Sequence, residues 1–251
     1  MGQDGTDSMR PLVDLSDPEE AFEVVEDALY DLWSVANELA RIKPPLPKYY
    51  RVTIFGSSRM RPGDEVYQEV RNLAAWLSEM GCDIVTGGGP GLMQAANEGA
   101  KIGDPENRTR SFGLPIELPK EEEPNPFVEK IYRHRTFFSR LHHFVRLSSA
   151  FIVVRGGIGT LLETALVWQL CQVRHVRSLP LIFVGEMWED LVDWGQRHML
   201  SSVPPLASPG DLEIPHTVDT VEAACAIIAQ DLETFNRETA AGGENANHLG
   251  A

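Results

Sequence analysis

Residues 150–163 read Ala-Phe-Ile-Val-Val-Arg-Gly-Gly-Ile-Gly-Thr-Leu-Leu-Glu. A short apolar run breaks into glycines and restarts at helical spacing, the plan of a strand, a tight loop and a helix N-terminus. Gly156, Gly157 and Gly159 let the backbone bend and come close to a ligand, while the first N–H groups of the helix have no acceptor within it. Free donors and the positive end of the helix dipole favour a phosphate there, and the Thr160 hydroxyl adds one more hydrogen bond. A purely structural reading also fits: the glycines make the turn, and Thr160 with Glu163 forms a capping box.

A second stretch of the same kind weighs against the purely structural reading. Residues 82–93, Cys-Asp-Ile-Val-Thr-Gly-Gly-Gly-Pro-Gly-Leu-Met, place Gly87, Gly88, Gly89 and Gly91 between an apolar strand and a helix start, with Pro90 suited to a first helical turn. A weaker third turn, with Ser57, Ser58 and Arg59, follows the strand-like run from Val52. Three such turns after three buried-type strands predict one crevice outside the carboxyl ends of a parallel sheet.

Outward from these turns, helical spacing predicts helices over about 64–80, 137–147, 187–200 and 221–237, with one more running from the triple-glycine turn to about 100 and another from the turn at 156–160 to about 173. Small residues Ala95, Ala96 and Gly99 permit close packing of the helix after the triple glycine on the sheet. Strands are expected at 51–55, 83–86, 110–116, 150–154, 179–184 and 214–218. Strands separated by helices, without hairpin signals, predict a doubly wound, Rossmann-like parallel α/β sheet with flanking helices. Ser16-Asp17-Pro18-Glu19 opens an amphipathic helical pattern over 16–42, which Pro44, Pro45 and Pro47 join as a stiff link to the rest. The expected organisation is a disordered 1–15, a single α/β domain over 16–238 and a disordered tail at 239–251.

The chain has 251 residues with 22 Lys+Arg against 37 Asp+Glu, a net charge of −15. That balance argues against nucleic acid or an anionic membrane surface as partner. No apolar run reaches the roughly 20 residues of a membrane span, and the first thirty residues lack a secretion signal, so a cytoplasmic location is expected. Cys82, Cys171 and Cys225 are isolated, without metal spacing, and read as buried thiols in a reducing compartment.

The glycine turns lack the Gly-Lys-Ser/Thr ending of a P-loop, and Leu162 stands where the dinucleotide fingerprint has its third glycine. A mononucleotide or sugar phosphate fits better than NAD or FAD. Thr86-Gly-Gly-Gly-Pro-Gly-Leu-Met93, Arg140 ten residues before Ala150, and Gly156-Gly-Ile-Gly-Thr-Leu-Leu-Glu163 resemble the LONELY GUY (LOG) phosphoribohydrolases over roughly residues 50–200. Asn125-Pro-Phe-Val128 and Arg140-Leu-His-His-Phe-Val-Arg146 look most like the family's pyrimidine/purine nucleotide nucleosidases.

The resemblance implies cleavage of nucleoside 5′-monophosphates to free base and ribose 5-phosphate, with no cofactor. It also implies Glu163 and Arg140 as catalytic residues, Gly156, Gly157, Gly159 and Thr160 as the phosphate loop, and homo-oligomeric assembly. The apolar faces at 22–39 and 161–170 fit a homodimer or larger. Three residues depart from the family pattern: Arg155 stands in place of a proline, Leu141 in place of a frequent lysine and Leu162 in place of a frequent second acidic residue. Arg155 is expected to face the crevice, adding positive charge beside the phosphate.

The chemistry makes sense beside the resemblance. Breaking an N-glycosidic bond passes through an oxocarbenium-like sugar, which a carboxylate such as that of Glu163 stabilises. Arg140 can bind phosphate or orient Glu163, but it is no ready proton donor. His134, His142 and His143 are weaker candidates for a proton or metal site, and no metal is expected. Met93 is expected to pack, whereas Asn97 can pack or touch a base. A non-catalytic nucleotide or molybdopterin carrier of the same fold remains the alternative. Relatives labelled lysine decarboxylase suggest a third activity, which needs pyridoxal phosphate on a lysine. None of Lys43, Lys48, Lys101, Lys120 and Lys130 lies in a glycine turn.

Overall fold

The computed structural model describes Phe22, Val25 and residues 48–117, 123–173 and 179–248, with side chains as far as residue 240. The chain divides into two compact units, Met1–Leu46 and Pro47–Ala251, and the fold below is that of the second. The expected N-terminal helix over 16–42 lies outside the described residues except for Phe22 and Val25, both helical. The segment 1–15 lies outside them entirely.

The elements in order are β1 (Arg51–Phe55), α1 (Glu65–Glu79), β2 (Asp83–Thr86), α2 (Leu92–Gly103), β3 (Ser111–Gly113), β4 (Lys130–Ile131), α3 (Phe137–Leu147), β5 (Ala150–Val153), α4 (Ile158–Gln172), β6 (Leu181–Val184), α5 (Glu186–Gly195), a π-helical turn at Gln196–Leu200, α6 (Pro209–Leu212), β7 (Pro215–Val218) and α7 (Val221–His248). The seven strands form one sheet in the order β4-β3-β2-β1-β5-β6-β7, and every pairing is parallel. The expected doubly wound α/β sheet is therefore the observed one. Its order reverses between β1 and β5, which opens a crevice at their carboxyl ends.

Two-residue alternation along the strands divides the core into two layers. Val52, Ile54, Ile84, Ile152 and Ile182 face α1, α2 and α7, together with Leu73, Leu77, Ala95, Ala224 and Ile228. Phe55, Val85, Phe151, Val153, Leu181 and Phe183 face the other way, towards Phe144 of α3, Val167 of α4 and Trp188 of α5. Helix α1 ends at Gly81, whose φ of +93° suits glycine. The N–H groups of Gly81 and Cys82 turn back to the carbonyls of Ser78 and Leu77 at 2.9 and 3.0 Å, closing the helix end.

Several expectations need correction. Gly99 packs against α1 instead of the sheet: a side chain there would strike the Arg71 carbonyl, as one at Gly103 would strike that of Ala75. The strand expected at 110–116 is only Ser111–Gly113, because the chain then leaves for an additional strand, β4, two residues long. Helix α7 continues to His248, past the end expected near Arg237, and no proline follows Arg237 to stop it. Cys82 is buried, whereas Cys171 and Cys225 are only partly so, and all three are free thiols. Burial pushes the Cys82 thiol up to about 12. No helix among the described residues is long and apolar enough to cross a membrane.

Candidate active site

The three turns meet as the sequence requires of one crevice. The Ser57 N–H donates to the Arg155 carbonyl at 3.0 Å, and the Ser57 carbonyl accepts the N–H of Leu92, the first residue of α2, at 2.8 Å. Gly91, with φ of +70°, allows this approach, since a side chain there would strike Ser57 and Ser58. The Ser57 hydroxyl accepts the Arg59 N–H at 3.1 Å, so part of its capacity goes to shaping its own turn.

The second turn is held from below by a buried polar network. Thr86 Oγ1 donates to Asn97 Oδ1 at 2.7 Å and accepts the Gly88 N–H at 2.9 Å. Asn97 Nδ2 donates to Ser111 Oγ at 2.8 Å, and Asn125 Nδ2 donates to the carbonyls of Gly88 and Gly89 at 3.1 and 2.9 Å. Asn97 is thus a fully buried support of the turn, not a base contact.

The third turn is built differently. Helix α4 starts at Ile158 with Gly157 as its N-cap, so no capping box exists: Thr160 already lies inside the first turn. Its side chain fills the space that a Cβ at Gly156 would need. The first α4 residue to donate back to this turn is Leu161, whose N–H reaches the Gly157 carbonyl at 2.9 Å. The N–H groups of Ile158, Gly159 and Thr160 therefore have no partner among the described residues. Gly157 and Gly159 are exposed, with open space where side chains would be.

One turn further along α4, Glu163 meets Arg140 of α3. Arg140 Nη1 lies 3.0 Å from Glu163 Oε1, with both side chains nearly nine-tenths buried. Arg140 Nε donates to the Leu114 carbonyl at 2.6 Å, and the guanidinium lies over the Phe144 ring at 5.2 Å. Its Nη2 abuts Gly87, where any side chain would collide with it and with Met93 Sδ. Burial raises the Glu163 carboxyl to about 7, although Arg140 acts in the opposite direction. The pair sets a carboxyl that titrates near pH 7 beside a permanent cation.

Arg155 is not brought to this pair. It is exposed and lines a hollow of about 360 Å³ with Val66, Val70, Val154 and Val221 and with Glu69, Glu186, Asp190 and Asp219. Strand alternation ends at Val154, whose carbonyl accepts the buried Trp188 indole N–H at 3.1 Å, and the chain turns there. His134 Nε2 and His143 Nδ1 lie 3.0 Å apart, and His134 Nδ1 lies 3.1 Å from Ser139 Oγ. Burial lowers both imidazoles; Arg140 lowers His134 further. Among the described residues no three His, Cys, Asp or Glu side chains are grouped to hold a metal. Of the described lysines, Lys101 pairs with Glu129, while Lys48 and Lys130 lie over the rings of Tyr49 and Phe112. Lys43 and Lys120 lie outside the described residues.

Sequence reasoning missed Trp188 and the Leu114 carbonyl, and it gave Asn125 no role beyond its place in the Asn125–Val128 resemblance. A backbone acceptor carries no sequence signal.

A family model described as "Possible lysine decarboxylase", that of the LOG family, matches residues 93–228, over half of the chain. The chain belongs to the LOG family. This LOG-family chain is 29% identical over 140 residues to the pyrimidine/purine nucleotide 5′-monophosphate nucleosidase of Escherichia coli K12, and equally to that of strain O157:H7. The match takes in 53% of the chain but only 30% of those relatives' length. Among solved structures, it resembles the molybdenum cofactor carrier protein of Chlamydomonas reinhardtii with a TM-score of 0.56 at 18% identity, covering 74% of this chain and 99% of that one. The molybdenum cofactor binding protein of Rippkaea orientalis gives 0.55 at 17% identity, covering 75% and 99%. At these identities the two structures speak for the fold alone.

Proposed function

We propose that the chain hydrolyses the N-glycosidic bond of nucleoside 5′-monophosphates, releasing the free base and ribose 5-phosphate. The observation that carries this reading is the buried Arg140–Glu163 pair, one turn inside a helix whose N-terminus is open. In it, the phosphate sits on the N–H groups of Ile158, Gly159 and Thr160, with Gly156, Gly157 and Gly159 allowing close approach. That places the ribose towards Glu163. As the C1′–N bond breaks, its electron pair stays with the base nitrogen, and the ionised carboxylate stabilises the positive sugar. Water then adds to C1′, Glu163 takes its proton, and the base gains a proton from solvent. Arg140 orients Glu163 and favours its ionised form.

In the same reading Gly87, Gly88, Gly89 and Gly91 form the crevice wall, with Ser57 and Ser58 at its edge. Helix α4 is apolar on most sides, yet Ile158 is 83% exposed and Leu162 46%. That uncovered face supports a homodimer or larger assembly, to be read by light scattering across a wide concentration range; a monomeric mass throughout contradicts it. A cytoplasmic location completes the reading.

The test is incubation of the pure protein with each common nucleoside monophosphate, without added metal, and chromatography for the base. Release of base and ribose 5-phosphate from at least one is expected. Tight binding without release supports the second reading, a non-catalytic nucleotide or molybdopterin carrier, to which the shared fold of the molybdenum cofactor carrier and binding proteins lends some support.

A further inference from the structure

We propose that Asn125 is a positioning residue of this site: its amide locks the Gly87–Gly89 turn, and the turn seats the Arg140 guanidinium against Glu163. The role rests on the proposed hydrolysis only for its effect on rate.

Asn125 is 7% exposed and joins three parts of the chain. Its Nδ2 lies within hydrogen-bonding distance of Gly88 O at 3.1 Å, Gly89 O at 2.9 Å and Asn97 Oδ1 at 3.0 Å, so two hydrogens are shared among three acceptors. Its backbone N–H donates to Gly88 O at 2.8 Å, and its Oδ1 accepts the Phe127 N–H at 3.2 Å. An amide suits this place because it must donate on one side and accept on the other. Aspartate offers no donor to the two carbonyls, and serine offers a single one. Pro124 and Pro126 on either side restrict the backbone, so the amide arrives with little freedom to lose.

The consequence reaches Glu163 in two steps. Gly88 is held in a left-handed conformation, φ +78°, with its Cα face against Gly113. Its neighbour Gly87 is the surface against which Arg140 Nη2 lies, opposite the Leu114 carbonyl that takes Nε. Releasing Gly88 and Gly89 frees Gly87 to shift, and the guanidinium loses one wall of its seat. Misplacements of about an ångström at a reacting centre can cost about a hundredfold in rate, so a partial loosening is worth measuring.

Arg140 is the charged group that favours ionisation of Glu163, against burial. A guanidinium that drifts away lets the Glu163 titration move up, which a merely structural role of Asn125 does not require. The experiment uses the full chain as wild type, Asn125→Ala and Asn125→Ser. Glutamate labelled with 13C at the side-chain carboxyl is titrated by NMR, with Glu163→Gln identifying the signal. Nucleoside monophosphate hydrolysis is followed over the same pH range.

In Asn125→Ala the Glu163 titration is expected to rise by about half a unit or more. The expected kcat falls about tenfold while KM stays within about twofold, the mark of a lost transition-state interaction. Asn125→Ser, which keeps one donor, falls between. An unmoved Glu163 titration in both variants overturns the proposal, whatever happens to thermal stability, and so does failure of both to fold. If wild type releases no base but the titration moves, the hydrolysis reading fails and the positioning role stands.

Discussion

Two glycine turns end two strands of the same sheet, yet they use glycine for opposite purposes. At Gly87–Gly91 the residues are crowded by their own protein: Arg140, Met93, Gly113, Ser57 and Ser58 occupy the space side chains would take. The helix start is also occupied, for Leu92 gives its N–H to Ser57. At Gly157 and Gly159 nothing lies within 4 Å of an added Cβ, and the first N–H groups of α4 are unclaimed. Glycine in the first turn lets the chain pack against itself, and in the second it leaves room for something else. A glycine-rich motif alone does not distinguish the two.

The sharpest way to test this contrast is at the end of the open turn. Glu163→Gln is expected to lower the rate about a hundredfold or more, the usual scale for a positioned electrostatic or acid-base group. Full activity in that variant removes the assignment. The pH dependence follows from the raised carboxyl. The hydrolysis needs the ionised form, so kcat/KM of wild type should climb through about pH 7. Stability runs the other way: the folded state holds the Glu163 proton more tightly than the unfolded state. This contribution is therefore full below the ordinary carboxyl range and lost as pH rises through about 7. Denaturation curves at pH 5 and pH 8 should show wild type losing stability relative to Glu163→Gln over that interval.

Removing the ligand's anion is expected to do nearly as much. If the open N-terminus holds a 5′-phosphate, nucleosides should turn over on the order of a hundredfold more slowly than their monophosphates. Equal turnover of adenosine and AMP refutes the role given to that turn.

The packed turn should fail through stability. Gly91→Ala forces a side chain into a left-handed backbone and into Ser57, and should cost about 3 kcal/mol in denaturant unfolding. By contrast, Gly157→Ala has extended backbone and open space, so its stability should stay within about 0.5 kcal/mol. Its KM for monophosphates should nonetheless rise several-fold, because the methyl group stands where the phosphate approaches. Equal destabilisation by the two substitutions erases the distinction between the turns. The smallest effect is expected at Arg155, which lines a hollow that neither Arg140 nor Glu163 lines. Arg155→Ala should leave kcat and KM within about twofold, and a marked rise in KM returns Arg155 to the crevice.

Much of this architecture was legible because it follows from periodicity and from glycine. The runs at 51–55, 83–86 and 150–153 alternate into two core layers, and the helices between them show one apolar face. Arg140 and Glu163, 23 positions apart, were legible through the family resemblance, and the structure joins them in one ion pair. Other features had no local signal. Strand β4 is too short for alternation and exists only by pairing with Phe112 and Gly113. The supposed capping box failed because Gly157, not Thr160, begins the helix. The direction of Arg155 depended on where a strand stops alternating, and the network of Thr86, Asn97, Ser111 and Asn125 joins residues whose types also suit exposed turns.

The sheet order carries a further consequence, for folding kinetics. Central strand β1 is flanked on one side by β2, close in sequence, and on the other by β5. The second partnership is sealed by Arg51 and Ser149, 98 residues apart. Closing so long a loop costs entropy before any contact is gained, which makes such a pairing a slow event. Until it forms, α3 and α4 have no fixed place beside the β2 turn, and Arg140 cannot find both Gly87 and Glu163. During refolding, helical signal should therefore return well before the site exists, leaving an interval in which the chain is largely structured and catalytically silent.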